Sequence, residues 1–165
     1  MNSANRQGAI GALLDEYEKS LHELKQVIFN VTPGELTKIV DSETKDKDCR
    51  SIQTILSHVV ESGYTYVIEI RKSLGEDIGY KSKDLLGSVQ QYAIALDEMF
   101  KFNEKLFLDY PAIQLEAFDP NKKFNVRWGQ LYDVEQLIEH AIVHILRHRR
   151  QIERFKIKLA NKYAG

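Results

Sequence analysis

The 165-residue sequence contains one cysteine and three prolines, and none of its apolar runs approaches the roughly 18 residues of a membrane-spanning helix. The single cysteine, Cys49, excludes an intrachain disulfide and fits a reducing compartment. The N-terminus has no charged start before an apolar core, so no secretory signal is predicted. We therefore expect a cytoplasmic protein without a membrane partner. Cys49 lies in the polar stretch K-D-K-D-C-R and is interpreted as an incidental thiol, because nothing around it supports a nucleophile.

The charges of the chain nearly cancel, with 23 Lys and Arg residues against 24 Asp and Glu residues. This balance gives no general attraction to nucleic acid or to an anionic membrane, so nucleic-acid binding is not expected. The hydrophobic fraction of 43% and the charged fraction of 28% are near the averages of soluble globular proteins. At this length we expect one domain over residues 1–165, with a core that needs no disulfides.

Apolar residues recur at helical steps of three and four in four long segments. These segments run roughly over residues 9–29, 51–74, 82–108 and 133–160. A short helix through Val40 is predicted after Thr32, because T-P-G-E matches a capping box with proline at the first helical position. The charged stretch 41–50 is interpreted as a solvated connector. We expect residues 112–131 to form a long connection, or excursion, that packs over the end of the bundle. Their run F-N-V-R-W is too short to support a sheet. The pattern predicts an all-α four-helix bundle.

Three histidines share one register in the last helical segment: His140, His144 and His148. Histidines four residues apart are neighbours on one helix face, and an H-x3-H pair can bind one divalent ion. On a helical wheel with His144 at the origin, the centre of the apolar face lies at roughly 80°. His148 lies at about 40° and His140 at about −40°. We therefore predict that His144 and His148 face inward. His140 is expected at the rim, where a supporting or substrate-contacting role is open.

Three further side chains extend this candidate site. Gln151 lies at about −20° on the same wheel, where its carbonyl could accept the other N–H of a ligating imidazole; a plain polar edge residue is the alternative. His58, in I-L-S-H-V-V, could supply a ligand from another helix. It is offset by roughly 120° from the apolar stripe of its helix, so the site would open at the side of the bundle. Thr65 shares that offset strip, and its hydroxyl could bond a substrate or simply lie on the helix surface.

The segment R-S-I-Q-T-I-L-S-H-V-V, followed far downstream by H-I-L-R-H-R-R-Q-I, resembles the DinB/YfiT-like family of damage-inducible four-helix-bundle proteins. The resemblance implies a bundle with a long crossover before the last helix. It also implies a divalent metal, zinc or nickel above all, held by His58, His144 and His148, with Gln151 and Ile152 completing the motif. Homodimers are common among such proteins. The chain departs from the commonest relatives in having arginines at positions 149 and 150.

Characterised relatives include thiol-dependent transferases and isomerases that use low-molecular-weight thiols. The resemblance therefore implies a metal-dependent thiol transferase, or a related hydrolase or isomerase, that acts on small electrophiles. No catalytic residue is identified. Arg147, at about −60° near the site rim, would clamp a carboxylate of a thiol cofactor; the alternative is a solvated cationic face that favours the helix dipole. The competing function is a non-catalytic stress-response or interaction protein whose metal is structural or sensory.

Overall fold

The computed structural model describes residues 6–163. In these residues the chain is mostly helical, which confirms the predicted all-α class. The helices are α1 (Gly8–Ile28), α2 (Pro33–Thr37), α3 (Ile52–Ser73), α4 (Val89–Asp109) and α5 (Val134–Tyr163). Short 3-10 turns form at Lys47–Cys49 and Pro120–Lys122. Within the described residues, none of the helices combines the length and the apolar character needed to cross a membrane.

Side-chain caps define the beginnings of three helices where the sequence predicts them. The Thr32 hydroxyl accepts a hydrogen bond from the Glu35 backbone N–H at the start of α2, and the Glu35 carboxylate accepts one from the Thr32 N–H. At the start of α5, the Asp133 carboxylate accepts from the Gln136 N–H at 2.9 Å. Ser51 caps α3 in the same way. Such caps satisfy backbone donors that have no partner inside the helix.

The predicted beginning of the third long helix at residue 82 is wrong, because α4 begins at Val89. The preceding residues are held in a non-helical path by hydrogen bonds to other helices. Ser57 on α3 donates to the backbone carbonyl of Asp84 at 2.6 Å, and the Tyr92 hydroxyl accepts from the Leu86 N–H at 3.1 Å. Ser88 then caps α4. The helical spacing of residues 82–88 is thus overridden by tertiary contacts.

Helix α3 occupies the middle of the packing, because it contacts α2, α4 and α5. The alternative that Thr65, on the offset strip of His58, simply lies on the helix surface is therefore wrong. Ser62, Thr65 and Glu69 on that strip are all buried. Glu69 accepts hydrogen bonds from the Tyr80 hydroxyl at 2.7 Å and from the Arg127 N–H at 3.3 Å. A helix with partners on several sides buries more than its apolar stripe, and His58 on the same strip contacts α5.

The excursion between α4 and α5 contains a minimal hairpin. Strand β1 (Phe124–Asn125) pairs antiparallel with β2 (Leu131–Tyr132), so that Phe124 lies opposite Tyr132. The expectation that this run forms no sheet therefore needs correction, although each strand has only two residues. Gly129 provides the left-handed backbone of the turn, with φ of +85°. The hairpin carries Trp128, Gln130 and Tyr132 alongside α5.

The close packing of α3 on α4 at Gly63 yields a test of the fold. A Cβ atom at Gly63 would overlap the side chain of Met99, which is fully buried. We expect Gly63→Ala to lower the free energy of unfolding by about 1–3 kcal/mol, because this overlap exceeds the gain in helix propensity of about 1 kcal/mol. Urea denaturation followed by circular dichroism measures the change. Gly34→Ala, where nothing lies within 4 Å of the added atom, is the matched control and should not destabilise. Equal stability of Gly63→Ala and the parent would contradict the packing.

Candidate metal centre

Three histidine side chains meet where α3 contacts α5. The Nε2 atom of His144 lies 3.0 Å from Nε2 of His58 and 3.1 Å from Nε2 of His148. One potential ligand atom from each of the three residues falls within 4.8 Å of the other two. Among the described residues, no fourth His, Cys, Asp or Glu joins this cluster. The three residues are close enough to bind a metal ion.

Burial follows the helical wheel of α5. His144 and His148 are 6% and 2% exposed, so both face inward as predicted. His140, one turn earlier, is half-buried at the rim. His58 on α3 is also half-buried, and its ring packs against both inner histidines with centroid distances of 4.9 and 5.1 Å. The site is thus sealed on the α5 side and open beside His58.

Hydrogen-bond partners behind the rings determine which nitrogen faces the centre. Nδ1 of His148 lies 3.0 Å from Oε1 of Gln151. An amide oxygen only accepts, so Nδ1 carries the proton and Nε2 presents a lone pair to the cluster. Nδ1 of His58 lies 3.4 Å from an Asp48 carboxylate oxygen, which favours the same tautomer. Gln151 therefore has the place that the sequence predicts for it, behind a cluster histidine.

Burial keeps these imidazoles neutral. Desolvation, followed by the neighbouring histidines, lowers the pKa of His144 to about 2. Desolvation, followed by His58, lowers the pKa of His148 to about 4, although the Gln151 hydrogen bond opposes the shift. The pKa of His58 is lowered as well, again mainly by desolvation. Neutral imidazole is the form that binds a metal ion.

The donor set fits a divalent ion. Nitrogen ligands at about 2.1 Å from an ion lie roughly 3.0–3.4 Å from each other when they occupy neighbouring coordination positions. The separations of 3.0 and 3.1 Å between Nε2 atoms are within this range. Imidazole suits zinc and nickel alike, so the nitrogens alone do not select between them.

The connector before α3 contributes more than solvated charge, which corrects the expectation for residues 41–50. Its 3-10 turn places Asp48 between Nδ1 of His58 and Nζ of Lys83, which lies 2.5 Å from the carboxylate. Cys49 Sγ lies 3.3 Å from an Asp46 carboxylate oxygen. Burial, and then the neighbouring carboxylates, raise the pKa of Cys49, although a hydrogen bond with Gln151 opposes the shift. A thiol with a raised pKa is a poor nucleophile, in agreement with the interpretation from the sequence.

A cavity of about 380 Å³ opens beside the cluster, and we call it the histidine pocket. His58, Thr65, His140, His144 and Arg147 are among its walls. The other lining residues are Glu61, Ser62, Tyr66, Arg127, Trp128 and Gln130. The Thr65 hydroxyl is buried without a hydrogen-bond partner among the described residues, which costs about 1–3 kcal/mol. Thr65 and Arg147 both line the pocket, whereas Gln151 lies behind His148.

The hairpin supplies a wall that the sequence does not predict. The Tyr132 hydroxyl lies 2.9 Å from Nδ1 of His140 and donates to Oε1 of Gln130 at 2.7 Å. Nε1 of Trp128 donates to the same oxygen at 3.0 Å. These bonds connect the rim histidine to the hairpin. These bonds depend on a contact between the excursion and α5. The helical spacing of the sequence does not predict that contact.

Two cationic residues of α5, Arg149 and Lys156, attach this helix to α1. Arg149 forms an ion pair with Glu23, and Lys156 donates to Asn30 at 2.7 Å. Arg147 differs, because it is exposed and forms no ion pair within the described part of the chain. The expected solvated cationic face is therefore partly a packing surface, while Arg147 remains available at the pocket.

No model of a known protein family matches the chain, and no curated protein is significantly similar to it.

The neutral histidines predict a pH dependence for the metal-free protein. Their pKa values are lower in the folded chain, so below about pH 6.5 the unfolded chain binds more protons. The free energy of unfolding should therefore fall as the pH drops from about 6.5 toward about 4. For His148→Gln, we expect the loss between pH 7 and pH 5 to be smaller by about 2 kcal/mol. Urea denaturation of chelator-treated protein at a series of pH values measures this.

The matched control for the pH series is His22→Gln. His22 is exposed on α1, away from the cluster. This variant should keep the parent's pH dependence. An unchanged pH dependence in His148→Gln would show that His148 is not buried as a neutral imidazole.

Proposed function

We propose that this chain is a divalent-metal-binding protein of the DinB/YfiT-like class, with His58, His144 and His148 as the ligands. The observation that carries the proposal is the convergence of three Nε2 atoms, with separations of 3.0 and 3.1 Å, between two long helices. The resemblance of the two histidine-containing segments to that family supports the same three residues. Zinc and nickel are the ions proposed.

The proposal includes a four-helix bundle with a long crossover before the last helix. Four helices have 21, 21, 22 and 30 residues. Helix α1 contacts α4 and α5, and α3 contacts the same two helices. This pattern of neighbours supports a bundle, and residues 110–133 are its crossover. The homodimer and the single domain over residues 1–165 stay predictions.

The further proposal is an enzyme that joins a low-molecular-weight thiol to a small electrophile. When bound, an ion held by neutral imidazoles supplies a Lewis acid, which favours the thiolate form of a thiol. The thiol sulfur forms the new carbon–sulfur bond, the leaving group departs with the electrons of the bond that breaks, and the thiol proton passes to solvent. The chain's own residues hold the reactants in the histidine pocket, and Gln151 and Asp48 orient His148 and His58.

Metal loading tests the proposed ligands directly. Protein purified without a histidine tag should carry about one equivalent of divalent metal. We expect His144→Ala and His148→Ala to lose nearly all of it, because two nitrogens from the remaining residues hold an ion much more weakly. His22→Ala is the control and should load fully. Elemental analysis after exhaustive dialysis gives the ratio. Full loading of the His144→Ala/His148→Ala double variant would contradict the assignment.

A structural role for the metal is the second candidate, and one observation favours it. The ligands come from α3 and α5, so a bound ion would cross-link the two helices. Such an ion stabilises the fold whether or not it takes part in chemistry. Both candidates therefore predict a higher melting temperature on metal binding, and only turnover separates them.

A thiol-consumption assay separates these two functions. The metal-loaded protein is incubated with glutathione, mycothiol or bacillithiol and a panel of chlorinated and epoxide electrophiles. We expect conjugate formation that rises in proportion to bound metal and that disappears in His144→Ala. The His22→Ala protein should retain the parent rate. Metal-dependent stabilisation without conjugation of any pair would favour the structural role.

A further inference from the structure

We propose that the histidine pocket binds a small organic acid with a flat apolar body, whose carboxylate pairs with Arg147. The inference rests on the proposed function in one respect, because it takes the organic acid to be the electrophile of the proposed enzyme and so names the chemical class of that electrophile. Three features of the pocket support it: an available guanidinium, a buried hydroxyl without a partner and an aromatic wall.

The guanidinium of Arg147 is the feature that selects an anion. Arg147 lines the pocket and has no acidic partner among the described ion pairs. A guanidinium presents two parallel N–H donors that match the two oxygens of a carboxylate. Arg147 is thus suited to hold a carboxylate at the pocket mouth.

The remaining charges of the pocket leave that role to Arg147. Arg127 also lines the pocket, but its guanidinium lies over the ring of Tyr80, 4.6 Å from the centroid. Glu61 is the acidic residue among the lining residues, and it also borders the neighbouring cavity. Two arginines and one glutamate among the lining residues give the pocket a net positive charge, which favours an anionic ligand.

The hydroxyl of Thr65 points to a ligand independently of the arginine. Thr65 is 6% exposed, lines the pocket, and has no hydrogen-bond partner for Oγ1 among the described residues. Buried hydroxyls in proteins are nearly always bonded. Oγ1 itself is closed off from the cavity, so the Thr65 side chain would have to rotate about χ1 for a ligand carbonyl or hydroxyl group beyond the carboxylate to become its partner.

Aromatic rings form the wall for the apolar body of the ligand. Tyr66 and Trp128 pack edge to face, with centroids 5.8 Å apart. The indole is held in place by the hydrogen bond of its N–H to Gln130, yet Trp128 remains 39% exposed. A fixed, exposed aromatic surface favours contact with a flat apolar group. The pocket volume of about 380 Å³ lies within the range of sites for small molecules.

The chain contains one tryptophan, so Trp128 reports binding by its fluorescence. Benzoate is the probe, and benzyl alcohol is its uncharged counterpart of similar size. Both are titrated into metal-loaded protein and into chelator-treated protein. We expect a benzoate dissociation constant at least about tenfold below that of benzyl alcohol, because only benzoate forms a charge-assisted pair. Equal affinity for the two probes would overturn the inference.

Substitutions then assign the contacts. Arg147→Gln should weaken benzoate by about tenfold and leave benzyl alcohol unchanged. Arg150→Gln, an exposed arginine on the same helix outside the pocket, is the matched control and should bind both probes like the parent. Thr65→Val should weaken salicylate, which carries a hydroxyl beside its carboxylate, more than it weakens benzoate. If Arg147→Gln and Arg150→Gln bind benzoate equally well, Arg147 is not the partner of the carboxylate and the inference fails.

Titration of both metal-loaded and chelator-treated protein separates the test of this inference from the test of metal binding. Arg147-dependent binding of benzoate to chelator-treated protein supports the anion site even if metal loading fails. A protein that loads metal through the three histidines but shows no Arg147-dependent benzoate binding retains the proposed metal function and loses this inference.

Discussion

The rest of the site depends on one arrangement, the meeting of three neutral imidazoles with their Nε2 atoms turned inward between α3 and α5. The Nδ1 partners of His58 and His148 turn the Nε2 lone pairs of these two rings inward, and burial opposes protonation of His144 and His148. Neutral imidazoles held close together in this way suit a divalent cation. The proposed metal function follows from this arrangement.

The surrounding structure holds the rings in that arrangement from several directions. Gln151 orients His148 from within α5, and Asp48 approaches His58 from the connector turn. Helix α5 is attached to α1 through Arg149 and Lys156, and α3 is enclosed by three other helices. The positions of the three histidines are therefore set by the packing of the chain around α3 as well as by their own helices.

Local periodicity predicts the parts of the structure that one helix determines by itself. The inward direction of His144 and His148, and the place of Gln151, follow from a helical repeat along α5. The caps at Thr32 and Asp133 follow from residues three positions apart. The wheel fails for α3, because it assumes a single buried face, whereas α3 has several partners and buries Thr65. It also fails before Val89, where Ser57 donates a hydrogen bond to the Asp84 carbonyl, the Tyr92 hydroxyl accepts one from the Leu86 N–H, and the chain is held out of a helix.

Contacts between distant segments could not be predicted in this way. The approach of Asp48 to His58, and the wall that Trp128 contributes to the histidine pocket, arise from loops whose paths depend on the assembled helices. These loops supply the open side of the site, and α5 supplies its sealed side. The three histidines are consequently more predictable than the pocket beside them.

The most direct test of the account is a crystal structure of metal-loaded protein, with anomalous diffraction recorded on both sides of the metal absorption edge. The account predicts one strong anomalous peak at bonding distance, about 2.1 Å, from Nε2 of each of His58, His144 and His148. A peak bound through Nδ1 atoms, a peak that lacks one of these three residues, or a strong peak only elsewhere on the protein would contradict it.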